Sequence, residues 1–414
     1  MPHLAAPAWY PNATLASGQL SLRVFLPDAS SGFYRSSRFE WSSMVGDVKV
    51  QGHRIFGHDL WRANPHDSKW PESGVGFSSE FGCGDDGPIC GGGWGAEGSD
   101  VSNGVLGFEA ADDGETFLKI GVGKLLKGSS DGDVETYTFN APYAFAEPPV
   151  WDVTVDASSV TMSHWATHGA FGYRLDKIVS VDGDFITLKT TLTNLGAESI
   201  KTPFYNHNFL SVDGFEIGKG YALQLPLKSA AYADAGTWAK PLAKVADVSL
   251  LHPGNVQVDV KAGIGSSRVK AIFERDDSAP ASYFANFQAA GDEPVWCASV
   301  MTHAKPLFAY NLYAEATTLS PEPMVLLEIK PGASEEWTTR VRCGVGAGHA
   351  QGAEFYEPHK DEWVFAGIFA GFLALIALVA AKKQPRNDAA PKYEAAAGDE
   401  AVPGDEAAPG ASPK

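Results

Sequence analysis

The sequence is poor in charge, and above all in positive charge. Charged residues make up 20% of its 414 residues, and 32 Lys and Arg stand against 50 Asp and Glu, which gives a formal net charge of −18. Binding to phosphate groups needs a basic surface, so this deficit argues against nucleic acid as a partner. The four cysteines are also too few to staple a fold of this length, which excludes the small disulfide-rich classes.

Helical periodicity is missing as well. No stretch of ten or more residues before residue 350 repeats its apolar positions at the helical spacing. The chain is instead rich in turn formers and aromatics, with 44 Gly, 26 Pro, 23 Phe, 13 Tyr and 11 Trp. Because these residues favour strands and turns, and because 44% of the chain is hydrophobic, we expect an ordered all-β globule.

The clearest hairpin signal lies in the middle of the chain. Residues 173–179 and 185–192 are two alternating runs, and Asp182-Gly183 lies between them. Such a dipeptide suits a tight turn with positive φ, so the two runs are expected to pair. Similar signals recur at residues 113–114, 157–159 and 330–333, each between two apolar runs. Together they predict one large antiparallel β-sandwich over residues 15–345.

A single long apolar run breaks this pattern near the C-terminus. Residues 363–381 contain 19 residues without a charge, flanked by charged residues on both sides. At about 1.5 Å per residue the run matches the roughly 30 Å hydrocarbon core of a bilayer, so we expect a transmembrane helix; a buried core helix is the alternative. Residues 346–362 would be a juxtamembrane linker, and residues 382–414, rich in Ala, Pro, Gly, Asp and Glu, a disordered tail.

The topology of this span rests on weaker signals. Lys382, Lys383 and Arg386 follow the run, which places the tail in the cytoplasm and the large domain on the lumenal or extracellular side. Residues 1–22, however, contain no Lys or Arg and no apolar run of signal-peptide length. Either the true N-terminus is missing or the protein is tail-anchored with a cytosolic domain. Disulfides Cys83–Cys90 and Cys297–Cys343 are compatible with the non-cytoplasmic placement, which we expect.

The densest polar cluster is residues 205–209, Tyr-Asn-His-Asn-Phe, just after the best-patterned strand. A histidine between two asparagines is unusual for a packed core, because each unpaired buried amide costs about 1–3 kcal/mol. One interpretation is a hydrogen-bonded turn around a structural histidine. The other is an imidazole general acid or base at position 207, oriented by its neighbours.

Several segments together resemble one family. Residues 203–209 resemble the Asn-His-x-x-Phe strand of the aldose 1-epimerase (galactose mutarotase-like) superfamily, and residues 32–42 resemble the Gly-Tyr-Tyr-Arg-x-x-Arg-Phe-x-Trp-Ser opening of a bacterial branch of uncharacterised epimerase-like proteins. Further segments follow in the order of that branch: residues 66–67, 79–82, 119–123 and 320–323. The resemblance covers residues 15–345 and implies a β-supersandwich with an open cleft that binds a carbohydrate. The apolar run and tail are not part of it.

The resemblance also implies an acid–base reaction without metal or organic cofactor. A histidine protonates the ring oxygen of the sugar and a glutamate takes the proton of the anomeric hydroxyl, so that the ring opens and closes to the other anomer. His207 matches the general acid and Glu322 is our candidate for the base, although the residues usual around that base are absent. We expect the two side chains to face one cleft, about a sugar ring apart. The alternative for Glu322 is a rim carboxylate.

The remaining candidates for sugar binding share polar side chains within or beside these segments; they are Arg35, Arg38, His66, Glu80, Asn206, Asn208 and Asp213. The arginines are able to grip hydroxyls or an acidic sugar through their planar guanidinium groups, but such side chains often pair with carboxylates across strands instead. His164 and His168 are expected to be structural.

Three functions are compatible with these residues. The first is an isomerase of the mutarotase type, anchored to a membrane, with the sugar unknown. The second is a non-catalytic, lectin-like carbohydrate-binding domain displayed on a membrane, which the departures from the family motifs favour. A lyase is a weaker third possibility, because a fold does not determine an activity.

Overall fold

The computed structural model describes residues 10–56, 75–82, 102–129, 137–139, 141–235, 239–251, 254–274, 276–288, 293–304 and 306–346. Within these ranges the chain is all-β, as predicted, with two 3-10 turns at Trp41–Ser43 and Leu242–Lys244. The same ranges contain no helix long and apolar enough to cross a membrane. The predicted span 363–381, the linker, the tail and the pair Cys83–Cys90 lie outside them.

Four antiparallel sheets make up this part of the chain. The largest has ten strands in the order β16 (Ala246–Leu251), β17 (Asn255–Val260), β14 (Tyr221–Leu225), β19 (Ala281–Phe287), β20 (Val295–Thr302), β23 (Ser334–Val345), β12 (Phe185–Asn194), β11 (Phe171–Asp182), β10 (Ser159–His168) and β9 (Asp152–Val155). The second has six strands in the order β15 (Tyr232–Asp234), β18 (Val269–Phe273), β21 (Leu307–Glu315), β22 (Thr318–Ile329), β13 (Ile200–Asn208) and β5 (Phe77–Phe81).

Two smaller sheets complete the layers. One contains β1 (Asn12–Ser17), β2 (Leu20–Phe25), β3 (Val45–Val50) and β4 (His53–Arg54) in sequence order. The other contains β6 (Val105–Leu106), β7 (Thr116–Lys119) and β8 (Gly123–Leu126).

The hairpin predicted at Asp182-Gly183 is confirmed. Asp182 pairs with Phe185, and the ladder continues to Tyr173 opposite Asn194. Gly183 has a φ of 58°, a value that glycine adopts without steric cost. The predicted inward face of β12 is buried throughout; it consists of Ile186, Leu188, Thr190 and Leu192.

The hairpin predicted around residues 330–333 is wrong. β22 and β23 flank this turn but belong to different sheets, with β22 between β21 and β13 and β23 between β20 and β12. The turn therefore carries the chain from one layer to the other. A turn between two apolar runs is compatible with both outcomes, because hairpins and crossings use the same turn residues.

The hydrophobic core lies between the two large sheets. Phe204 of the six-stranded sheet meets Trp337 of the ten-stranded sheet with ring centroids 4.7 Å apart, and both side chains are buried. On the ten-stranded sheet, Cys297 and Cys343 stand opposite each other on β20 and β23 and form a disulfide. The other face of the six-stranded sheet carries a concentration of polar side chains, described next.

Candidate functional site

The site is built on a break in the ladder between β13 and β22. These strands pair from Ile200 opposite Ile329 to Phe204 opposite Val325, and meet again at the bridge between Leu210 and Leu319. The register is the same on both sides of the break, so no residue is inserted in either strand. His207 and Glu322 therefore stand directly opposite each other inside the break.

The two side chains are in contact. His207 Nε2 lies 3.4 Å from Glu322 Oε1, and the side chains are only 6% and 4% exposed. The imidazole stacks on the Phe209 ring at 4.1 Å and meets the edges of Phe39 and Tyr313. The pair thus shares one face, but it is closed, and a sugar ring does not fit between the two groups as they stand.

Burial shifts the two pKa values in opposite directions. It raises the pKa of Glu322 to about 7, although the hydrogen bond from Ser320 and the positive charges of Lys270 and Arg38 act to lower it. Burial also lowers the pKa of His207 well below its ordinary value, and the charges of Arg38 and Lys270 lower it further. Near neutral pH the Glu322 carboxyl is accordingly close to half protonation, while the imidazole is neutral.

A second acidic group lies beside this pair. The Arg38 guanidinium donates from Nε to Glu80 Oε2 over 3.1 Å, and the Tyr205 hydroxyl donates to the same oxygen over 2.5 Å. Tyr205 precedes His207 by two residues on β13 and shares its face, since strand side chains alternate. Both Glu80 and Arg38 are buried, so the guanidinium group balances the charge of the Glu80 carboxylate where water does not reach it.

Sequence reasoning missed further polar groups on this face. Asn311 stands opposite Glu322 on β21, is 1% exposed, and its Oδ1 has no hydrogen-bond partner. Lys270 on β18 lies opposite Tyr313 and acts electrostatically on both members of the pair. A lone polar residue inside an apolar strand was the available signal for each of them. His207 Nδ1 is likewise buried without a hydrogen-bond partner.

Asn206 and Asn208, expected to bind substrate, are not brought to this face. Asn206 accepts from Ser79 Oγ at 2.7 Å and donates to Thr339 Oγ1 at 3.2 Å, which directs it toward the ten-stranded sheet. The Asn208 amide lies within the break, where Nδ2 donates to the carbonyls of Asn206 and Pro321.

The other predicted binding residues have partners elsewhere. Asp213 Oδ2 lies 2.7 Å from His53 Nδ1, and Asp213 Oδ1 accepts from the Arg54 amide at 2.8 Å. Arg35 donates to the Ser30 carbonyl at 2.5 Å. Neither interaction involves His207 or Glu322. His66 lies outside the described residues.

A buried ion pair lies behind the site, toward the interior. Lys177 of β11 forms an ion pair with Glu40 and donates to Ser79 Oγ at 3.0 Å. Lys177 therefore links the ten-stranded sheet to β5 and, through Ser79, to Asn206 on β13. Across the described ranges, no cluster of three or more His, Cys, Asp or Glu side chains is arranged to hold a metal ion.

A groove of about 570 Å³ opens elsewhere on the described surface. It lies between the turns of the four-stranded sheet and the ends of β20 and β23, and its lining includes Gln51, Asp184, Trp296 and Arg342. Arg342 and Asp184 form an ion pair there. None of the predicted site residues lines this groove.

Comparisons with known proteins give matches only to solved structures, at low identity and with TM-scores below 0.5. No protein-family model and no curated protein matches the chain. Among solved structures, a Synechocystis sp. PCC 6803 protein matches with 14% identity and a TM-score of 0.46, covering 83% of this chain and 99% of its own. A galactose mutarotase-like protein from Lactobacillus casei has 10% identity and a TM-score of 0.41, covering 80% and 99%.

A galactose 1-epimerase from Lactobacillus acidophilus also matches, with 10% identity and a TM-score of 0.40, covering 81% of this chain and 95% of its own. Similarity at this level assigns neither activity nor site residues to this chain.

Proposed function

We propose that the chain is a carbohydrate-active protein of the aldose 1-epimerase type, with a galactose mutarotase-like sandwich whose His207 and Glu322 exchange protons with a sugar. The observation that carries this proposal is the pair itself. Two titratable groups from distant parts of the chain stand opposite each other. Burial raises the pKa of Glu322 and lowers the pKa of His207, so that the usual order of the two values is reversed. Such an arrangement is characteristic of acid–base sites.

The reaction balances on this pair. In the cyclic hemiacetal, the bond between C1 and the ring oxygen breaks while one group gives its proton to that oxygen. The other group takes the proton of the anomeric hydroxyl, and the C1–O1 bond becomes a carbonyl. Rotation about C1–C2 and the reverse proton transfers give the other anomer. The raised pKa of Glu322 and the lowered pKa of His207 favour the carboxyl as donor and the imidazole as acceptor in the first direction, which reverses the roles that the resemblance implies for the two residues.

The closed contact defines what substrate binding has to do. Because both side chains are buried, a sugar reaches them only if its binding parts the pair and moves the side chains that cover it. Arg38 and Lys270 act on the pair with positive charge, which would suit a carboxylate group of the sugar, whereas Glu80 is buried and already paired with Arg38 and Tyr205. The burial of His207 against three aromatic rings favours the alternative function, a non-catalytic carbohydrate-binding domain.

One experiment separates the two functions. Polarimetry with the full chain measures how fast α-glucose and α-galactose reach anomeric equilibrium, and we expect an acceleration that His207→Ala and Glu322→Ala each reduce by about 10²–10⁴-fold. His164→Gln is the matched control, because His164 is buried on β10 against Trp151 and Tyr173, outside the site. Saturable sugar binding without acceleration would support the binding domain, and absence of both would refute the proposal.

We further propose that residues 363–381 anchor the chain in a membrane, with the sandwich on the lumenal or extracellular side. The charge-free run and the basic residues after it support an anchor of this orientation. The disulfide between Cys297 and Cys343 supports the same side, because disulfides persist mainly in oxidising compartments. Tethering would confine sugar binding to one side of the membrane.

A further inference from the structure

The break between β13 and β22 has a cause in the sequence. Leu319 exchanges backbone hydrogen bonds with Leu210, so the N–H of residue 319 points toward β13. Backbone groups alternate along a strand, and positions 321 and 323 therefore face β13 as well. Both are proline and have no N–H to donate, so the ladder lacks two hydrogen-bond donors, one on each side of Glu322.

Two side chains occupy the place of the missing bonds. Asn208 stands opposite Pro321, and its Nδ2 donates to the Pro321 carbonyl at 2.7 Å and to the Asn206 carbonyl at 3.0 Å. Both donors of this amide group are thus used on backbone acceptors, one on each strand. Buried carbonyls need such partners, because an unsatisfied one costs about 1–3 kcal/mol.

Ser320 connects the second strand to the carboxyl group. Its Oγ accepts from the Asn208 backbone N–H at 2.8 Å and donates to Glu322 Oε1 at 2.9 Å. The oxygen that Ser320 binds is the one in contact with His207 Nε2. The Ser320 hydroxyl thus accepts a hydrogen bond from β13 and donates its one proton to Glu322. It thereby fixes the carboxyl group relative to the strand that carries His207.

We propose that Asn208 and Ser320 are positioning residues, which replace the interrupted ladder and hold Glu322 against His207. This role rests on the function proposed for the pair. Neither residue needs to touch the sugar: Asn208 fixes the distance between the strands, and Ser320 fixes the orientation of the carboxyl. Asn208 is adjacent to His207 in the sequence, which suggests a substrate ligand. Its amide group instead acts through its hydrogen bonds to the backbone of the two strands.

The test separates positioning from general stability. The Glu322 carboxyl is titrated in the wild type and in Ser320 variants, using the full chain with ¹³C-labelled glutamate. The rate of anomer exchange is measured as a function of pH for the same proteins. Loss of the hydroxyl in Ser320→Ala is expected to raise the pKa of Glu322, because that hydrogen bond favours the ionised form, and to slow exchange about 10–100-fold through misorientation. Ser320→Thr keeps the hydroxyl and should restore both values.

Thr318→Val is the matched control on the same strand. The Thr318 hydroxyl is buried and has no hydrogen-bond partner, so its removal should leave the Glu322 titration and the rate unchanged. The other groups that act on Glu322 stay in place in every variant; they are Arg38, Glu80, Tyr205, His207, Lys270 and Tyr310.

Asn208→Asp tests the other half of the proposal, because it keeps the side-chain shape and removes both Nδ2 donors. We expect the pH profile to shift and the rate to fall about 10–100-fold. The proposal is overturned if Ser320→Ala titrates like the wild type, or like Thr318→Val. If the wild type itself does not accelerate exchange, the proposed function fails, and the Glu322 titration still decides whether Ser320 orients the carboxyl. If Asn208→Asp does not fold, the serine series alone decides.

Discussion

Replacing Glu322 by glutamine should reveal the buried proton as a pH-dependent difference in stability. The folded chain keeps that proton up to about pH 7, whereas a carboxyl with the ordinary pKa of 4.5 loses it well before. Folding therefore takes up a proton between these two pH values. The contribution of Glu322 to the unfolding free energy must therefore fall as the pH rises through this interval, and then level off. Glu322→Gln carries no such proton.

The size of the difference follows from the pKa values. Each pH unit in which one state holds the proton and the other does not changes the unfolding free energy by about 1.4 kcal/mol. From 4.5 to about 7, the wild type should lose about 3 kcal/mol relative to Glu322→Gln. His207 has a lowered pKa and destabilises the fold when the pH falls, but it is present in both proteins, so its contribution largely cancels from the difference.

Urea unfolding at several pH values between about 4 and 8 measures this difference. Glu336→Gln provides the control, since Glu336 is 53% exposed and lies outside the site. The difference between Glu322→Gln and the wild type should widen up to about pH 7 and stay constant above it. A difference independent of pH would show that folding does not raise the pKa of Glu322, and the acid–base reasoning would fail.

Two further predictions concern the interior and the membrane. Lys177→Met should destabilise the fold by about 3–5 kcal/mol because it leaves the Glu40 carboxylate buried without its cation, whereas Lys177→Met combined with Glu40→Gln should recover most of the loss in urea unfolding; additive losses would contradict this. In sealed vesicles, protease should remove only the tail and spare the sandwich, with Cys297–Cys343 oxidised; digestion of the sandwich without detergent would refute the lumenal placement.

Local patterns in the sequence predicted individual strands better than their arrangement. The alternation in residues 185–192 and the glycine at position 183 specify a hairpin without any distant contact. The assignment of β22 and β23 to different sheets depends on partners far along the chain, β13 and β12, and no local signal distinguishes it from a hairpin. Sheet membership is decided by the pairing of distant strands, which a single sequence does not display.

The site, too, could be predicted from the sequence only in part. The motif around His207 and the Pro-Glu-Pro run at 321–323 marked the two groups, but their contact follows from the register of β13 against β22. Strand alternation alone would have separated Asn206 and Asn208 from the face of His207. Asn311 and Lys270 carry no motif, and their place beside the pair depends on the order of β18, β21 and β22 in the sheet.

The shared register of β13 and β22 makes the pair sensitive to chain length as well as to substitution. Because side chains alternate along a strand, one residue added to β13 between Phe204 and Asn206 would turn the imidazole toward the interior and leave the Asn206 amide facing the carboxyl. Homologous chains that keep the pair must therefore place their insertions and deletions outside these strands. The number of residues between Phe204 and His207, and between Glu322 and Val325, is then as diagnostic of this site as the identities of His207 and Glu322.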